Sequence, residues 1–252
     1  MESLSLTTTQ FGKQLFYYPS CGSTNQIASQ LIRDKQAEHG ALVWTDHQVA
    51  GRGQQNKSWE SEAGQNIAAS LIVYPQWSVS QQFYLNMAVS LAIREAIQHF
   101  LSDLVLIKWP NDIFIQDRKL VGILIQNSLM ADKIHTSVIG MGINVNQQEF
   151  CAPRATSLAK EIDQQFSRGE ILNLVLVRME SRYQQLLSQD YVSIKSDYES
   201  YLLGKDELRI FSDNNEKFSG MIIGVDSSGR LMIRVENEVL RYNFQEIVYH
   251  WE

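Results

Sequence analysis

The sequence predicts an α+β protein, a mixed sheet with helices followed by a small SH3-like β-barrel. Three observations carry this. Apolar, strand-like runs alternate with two helical stretches through the first part of the chain. Two further helical stretches follow, at roughly 170–188 and 190–203. Beyond Gly204 the chain becomes short strands separated by DNN, DSSG and ENE turns. The expected division is therefore 1–203 for the mixed unit and 204–252 for the barrel.

The elements read in order as follows. QLFYYP (14–19) is a strand stopped by Pro19, and SCGSTNQIASQLIRDK places hydroxyl and amide residues to cap a helix running to Lys35. ALVWTDH (41–47) is a buried strand, HQVAGRGQQNKSWESEAGQ (47–65) a long polar loop, and NIAASLIVYP (66–75) a second strand. Ser80 is placed to cap a long helix to Leu101. Its polar residues Asn86, Ser90, Arg94 and Gln98 form one stripe at i,i+4 spacing, so the rest of the helix should be buried against a sheet. The segments 104–115, 119–130 and 133–146 form a run of strands, with tight turns at 116–118 and 131–133.

Composition narrows the function. A chain of 252 residues with 44% hydrophobic and 20% charged residues can bury a full core. The net charge of −6 argues against a nucleic-acid partner, which usually meets a basic face. Cys21 and Cys151 form no C-x-x-C pair, in keeping with a reducing compartment. The start lacks the basic and apolar regions of a signal peptide, and no run is long and apolar enough for a membrane span. Cytoplasm is the expected location.

Three segments carry candidate chemistry. In Gly51-Arg52-Gly53 two glycines let backbone approach a ligand, and Arg52 offers a planar donor fork for carboxylate or phosphate. Lys57 adds a cation and Trp59 a flat aromatic face; the alternative is an ordinary exposed turn. In Lys108-Trp109-Pro110-Asn111-Asp112 an apolar strand delivers Lys108 at its end. That lysine is either a point charge held against an anion or a rim residue whose stem covers Trp109. In Gly140-Met141-Gly142-Ile143-Asn144-Val145-Asn146, strand periodicity puts the glycines and asparagines on one face and the apolar residues on the other. This is either a floor for a flat ligand, with Asn144 reading an edge, or a closely packed strand pair. Gly122 gives a neighbouring strand a similar bare spot. The histidines are scattered without ligand spacing, so no metal site is expected from the protein itself. There is no G-x-S-x-G and no Walker lysine loop.

Taken in order, S-T-N at 23–25, G-R-G at 51–53 with Trp59 beyond, K-W-P-N-D at 108–112, K-L-V-G-I-L at 119–124 and G-M-G-I-N-V-N at 140–146 resemble the biotin–protein ligase family. The resemblance is strong from residue 15 to about 150 and weaker through F-S-G-M-I-I-G-V-D and G-R-L-M-I in the last segment. It implies a class II synthetase-like biotin/lipoate ligase catalytic fold. It also implies activation of biotin with ATP and Mg2+ to biotinyl-5′-AMP, then transfer to a lysine of a biotin carboxyl carrier protein or domain. The form would be monofunctional, because only 22 residues precede Ser23, too few for a DNA-binding domain, and it would act as a monomer or homodimer.

By the same resemblance Lys108 and Arg52 would be catalytic. Ser23, Thr24, Asn25, Gln48, Arg52, Gly53, Gln54, Lys108, Gly122 and Gly140 would line the biotin site. Arg52, Lys57, Trp59, Asn111, Gly142 and Asn144 would bind ATP, with Asp112 a candidate near magnesium. Three positions depart from the family pattern: Gln54 where arginines are frequent, Gln126 where an acid is common, and His250 near an arginine directed at ATP. A neutral Gln54 would hold the adenylate less tightly than a charged residue. A lipoate or octanoate ligase shares this logic, and a non-catalytic biotin or nucleotide sensor is the reading from another class.

Overall fold

The structure, a computed structural model, describes residues 4–51, 53, 58–214 and 216–250. The main sheet is built from β1 (Leu15–Tyr18), β2 (Leu42–Thr45), β3 (Ile67–Val73), β4 (Trp77–Ser78), β5 (Val105–Lys108), β6 (Asp112–Ile115), β7 (Arg118–Met130) and β8 (Lys133–Ile143). Its order is β1-β2-β3-β8-β7-β6-β5, with β4 also pairing β8. β1 and β2 run parallel and the remaining pairs are antiparallel, so the sheet is mixed. The expected turns are present, with Gln116 and Ala131 taking φ of 53° and 55°.

Helices cover both faces of this sheet. α2 (Gln82–Gln98) and α4 (Arg168–Leu187) pack on one face, where Leu85, Leu91, Ile93 and Leu172 join Leu71, Ile113 and Ile143 in the main core. On the opposite face α1 (Thr24–Arg33) sets Ala28 and Leu31 against Val43, Ile72 and Val138. α1 spans only part of that face. The rest is left for the site.

The polar stripe of α2 faces inward and secures the strand ends. Arg94 donates Nε to Val105 O at 2.9 Å and lies 3.6 Å over the Tyr201 ring. Gln98 accepts from Val105 N at 3.0 Å and donates to Asp103 O at 2.9 Å, while Asn86 Nδ2 donates to Pro110 O at 2.9 Å. The helix start differs from expectation. Ser80 does not cap α2: Ser78 caps a 3-10 turn at Val79–Gln81 that leads into it, accepting from Ser80 N, and the N-cap of α2 itself, Gln81, makes no side-chain capping bond. A cap must precede the first turn with extended backbone, and Ser80 already lies inside that turn. α2 also ends at Gln98 rather than Leu101. α3 (Leu158–Ile162) was not expected, because five residues are too few to show periodicity.

After α5 (Tyr191–Ser200) a second, antiparallel sheet follows: β9 (Leu208–Asp213), β10 (Glu216–Val225), β11 (Leu231–Val235), β12 (Glu238–Tyr242) and β13 (Val248–Tyr249). Their order is β12-β11-β10-β9-β13. Phe211, Ile222, Val225, Leu231 and Ile233 are buried inside it. A bulge at Gly224, φ 140°, lets the Glu199 carboxylate approach and accept from Val225 N at 2.8 Å. The end of β5 is tied to this sheet and to the chain leading into it. Ile107 N donates to Tyr201 O at 2.8 Å, Leu203 N to Ile107 O at 2.9 Å, and Trp109 Nε1 to Gly229 O at 3.0 Å.

Candidate functional site

The site lies on the α1 face, where the centre of the sheet is bare. Gly122 of β7 pairs directly with Gly142 of β8, and Gly140 lies between Ser70 of β3 and Leu124 of β7. On the reverse face Met141 and Ile143 are buried, the alternation that strand periodicity dictates. The indole of Trp59 lies across the paired glycines. A β-carbon on Gly122 would stand 2.6 Å from Trp59 Cζ3, and one on Gly142 would stand 2.5 Å from Cε2. Trp59 N donates to Gly51 O at 3.0 Å, closing the base of the long loop.

Two polar atoms near this floor are buried without a hydrogen-bond partner among the described residues: Trp59 Nε1 and Asn144 Oδ1. Asn144 spends its Nδ2 on Thr156 O at 2.8 Å, so the oxygen is what it can offer a ligand. A donor and an acceptor left unmatched in an interior are costly unless something completes them. Asn146, on the same face, is committed to structure, accepting from Phe166 N and donating to Phe166 O, both at 2.9 Å.

The S-T-N segment builds a polar cluster on the same face. Ser23 takes the extended backbone of an N-cap (φ −156°, ψ 132°), yet its hydroxyl makes no capping hydrogen bond. Gln48 replaces it, its Oε1 accepting from Thr24 N at 2.8 Å and Thr24 Oγ1 at 3.1 Å. Asn25 folds over the bare backbone of Gly140 and donates Nδ2 to Gln126 Oε1 at 2.9 Å. Ser70 ties these together, its Oγ 2.7 Å from Thr24 Oγ1 and 2.6 Å from Asn25 Oδ1. Backbone pairing sets this geometry. The parallel β1–β2 pair continues through Cys21 N to His47 O, Val49 N to Cys21 O and Ala50 N to Gly22 O. Asp46, at the start of that extension, accepts from the Tyr17 hydroxyl and pairs with buried Arg168 at 3.0 Å. The Tyr17 hydroxyl, bonded to this carboxylate, is pushed above the ordinary phenol range.

The K-W-P-N-D segment forms the turn between β5 and β6. Lys108 Nζ lies 4.6 Å from the centre of the Tyr249 ring and 5.9 Å from that of Phe114. Asn111 is buried and donates Nδ2 to Asn86 Oδ1 at 2.8 Å. Asp112 pairs with Lys119 at 2.7 Å, and that lysine lies 5.8 Å from the Trp59 ring. His250 is held in the second sheet, its Nε2 2.8 Å from Ser212 Oγ and its backbone N donating to Ile210 O.

Residues 17–144 match the profile of the biotin/lipoate A/B protein ligase family, a segment holding the glycine floor, the S-T-N wall and Lys108. The chain belongs to this family. The bifunctional ligase/repressor BirA of Bacillus subtilis is 32% identical over 239 residues, covering 93% of this chain and 73% of the relative. A biotin--[acetyl-CoA-carboxylase] ligase of Paracoccus denitrificans is 26% identical, covering 77% of this chain and 84% of the relative. Among solved structures, the biotin protein ligase of Aquifex aeolicus in complex with biotin and ATP superposes with a TM-score of 0.78 at 25% identity. That match covers 95% of this chain and all of the other.

In this ligase-family chain the structure brings Thr24, Asn25, Gln48 and Gly140 into one cluster, with Ser23 buried next to Thr24 in the chain, and Trp59, Gly122 and Gly142 into another. Gly53 is half-buried, whereas Arg52, Gln54 and Lys57 lie outside the described residues. Sequence reasoning missed Ser70, although a lone hydroxyl within the buried strand IAASLIV was its signal. It noted Gln126 only as a departure, not as the partner of Asn25. Among the described residues no group of three or more His, Cys, Asp or Glu side chains could hold a metal, and no helix is long and apolar enough to cross a membrane.

Proposed function

We propose that the α1 face of the sheet forms a trough that binds biotin at its polar end and ATP over its glycine floor, so that the chain acts as an ATP-dependent biotin–protein ligase. One observation carries this reading: a polar cluster (Thr24, Asn25, Gln48, Ser70) and a flat platform, the Trp59 indole laid on paired glycines with unmatched polar atoms beside it, share one sheet face. Such a trough suits a ligand with a polar ring at one end and a planar base at the other. The likeness to the Aquifex ligase with biotin and ATP, and to relatives named as biotin ligases, supports it.

In the first step a biotin carboxylate oxygen attacks the α-phosphorus of ATP, and pyrophosphate leaves. In the second, the amine of an acceptor lysine attacks the acyl carbon and AMP leaves. No covalent bond to the enzyme is needed, so positioned cations and amides carry the catalysis. Lys108, with Arg52, would neutralise the carboxylate and α-phosphate as they meet. Ser23, Thr24, Asn25 and Gln48 would hold the ureido ring, with Gly53, Gln54, Gly122 and Gly140 lining its site. Trp59, seated on Gly122 and Gly142, would pack near the adenine with its outer face, Asn144 Oδ1 would accept from the edge of the base, and Lys57 and Asn111 would complete the nucleotide side. Magnesium would enter with ATP; Asp112 is engaged by Lys119 and suits a supporting role better than a ligand role. The acceptor would be a biotin carboxyl carrier protein or domain, the chain a monomer or homodimer acting in the cytoplasm without nucleic acid, and 1–203 and 204–252 its two domains.

The test is pyrophosphate release from ATP, magnesium and biotin, with lipoate in parallel and Lys108→Ala as control. Biotin-dependent release abolished by Lys108→Ala is expected. Release with lipoate alone would move the chain to the sister activity, and release with neither would leave a sensor.

A further inference from the structure

Two adjacent residues at the end of β5 reach across to the second sheet. Trp109 donates to Gly229 O at 3.0 Å, and its ring centre lies 6.0 Å from that of Phe244. Lys108 directs its Nζ at the face of Tyr249, 4.6 Å from the ring centre. The Tyr249 ring is a fixed plate. It is 8% exposed, pairs with Phe211 through β13 and β9, and packs edge-on against the Phe211 ring at 5.3 Å.

An aromatic face attracts an ammonium electrostatically. It does so without a carboxylate's full negative charge, which would compete with an incoming anion. A lysine stem has many rotamers, and a point charge that must meet two anions gains from being held. The end of β5 fixes the Lys108 backbone, while the ring restrains its far end.

We propose that Tyr249 is a positioning residue for adenylation: its ring holds the Lys108 ammonium where carboxylate and α-phosphate meet. The second sheet thereby contributes to the reaction centre instead of only capping the fold. This rests on the role proposed above for Lys108.

The experiment uses the full chain and reads biotin-dependent pyrophosphate release, kcat and KM separately, beside a thermal melt. Tyr249→Phe keeps the ring and is expected to keep kcat within about twofold. Tyr249→Met and Tyr249→Leu remove the face while filling the space. Whichever keeps its melting transition above the assay temperature is expected to lose about 3- to 30-fold in kcat. Added to Lys108→Ala, the same substitution should cost nothing more. If Lys108→Ala lowers turnover below detection, the cycle is read in ATP affinity with the same expectation. Full kcat in the folded Met or Leu variant, an equal loss in both backgrounds, or a loss in Tyr249→Phe matching theirs would overturn the proposal. Full activity of Lys108→Ala would instead overturn the reading of Lys108 itself.

Discussion

Trp59 rests its indole on the bare backbone of Gly142, with Nε1 2.6 Å from where a β-carbon on that glycine would stand. The indole is rigid, and behind Gly142 lies a core holding Met141 and Ile143. Neither side can give by a few tenths of an ångström without moving the ring. Gly142→Ala is therefore expected to lift the indole and lower kcat/KM for ATP by roughly 10- to 100-fold. Biotin affinity, measured by calorimetry without nucleotide, should change little. Unchanged ATP kinetics in the alanine variant would show that the floor is not where the base lies.

Ser70 links Thr24 and Asn25, and it is fully buried. Ser70→Ala removes one oxygen and leaves Asn25 Oδ1 without its donor. A loss of about 1–3 kcal/mol in stability is expected, together with weaker biotin binding. The separation matters here: KM for ATP should stay near wild type, because the hydroxyl belongs to the polar end of the trough. A parallel rise in both KM values would indicate general loosening.

Arg94 holds the start of β5 through Val105 O and stacks on the Tyr201 ring while only 7% exposed. Arg94→Leu should lower unfolding free energy by about 2–4 kcal/mol, from the lost charge-assisted bond and the lost stacking. Urea denaturation would measure it as a shifted midpoint. An unshifted midpoint would mean that the inward stripe of α2 is not structural.

Glu180 accepts from Thr9 N at 2.9 Å, Thr9 Oγ1 at 3.0 Å, Gln10 N at 2.6 Å and Phe11 N at 3.2 Å. Burial alone would raise its pKa, but these hydrogen bonds outweigh it and hold the carboxyl below the usual glutamate range. A depressed folded pKa contributes stability above the unfolded value, near 4.3, that is lost as pH falls through the folded value. Glu180→Gln should thus destabilise the chain at pH 7, with the gap to wild type narrowing below about pH 4. Melting both proteins across that range tests it, and a gap independent of pH would refute the assignment.

Much of this was legible because the main strands and helices have strong periods. The alternation from Gly140 to Ile143 sets the glycines and the apolar residues on opposite faces of β8, and the i,i+4 stripe of α2 marks a distinct, structural face of that helix. What periodicity could not give was the direction of that stripe. Arg94 and Gln98 satisfy backbone groups of β5, a partner set by tertiary packing. The same limit explains Ser70, whose partners lie far away in sequence on Thr24 and Asn25. The misplaced cap at Ser80 arose because two serines in S-V-S each offer a hydroxyl, and only the backbone path selects Ser78. Lys108 was placed at a strand end by its apolar run, but Tyr249 lies in a different sheet and left no local trace.

The paired glycines at 122 and 142 occupy two inner strands, and Gly142 is paired on both edges, to Ala68 and to Gly122. Strand propensity favours branched or aromatic side chains at such positions, and glycine there forfeits conformational entropy. The sheet is thus weakest by composition where it is best supported by architecture. A substitution selected for thermal robustness alone would tend to fill these positions and close the trough. Selection for the hottest-melting variant and selection for the working one therefore diverge at the middle of the sheet.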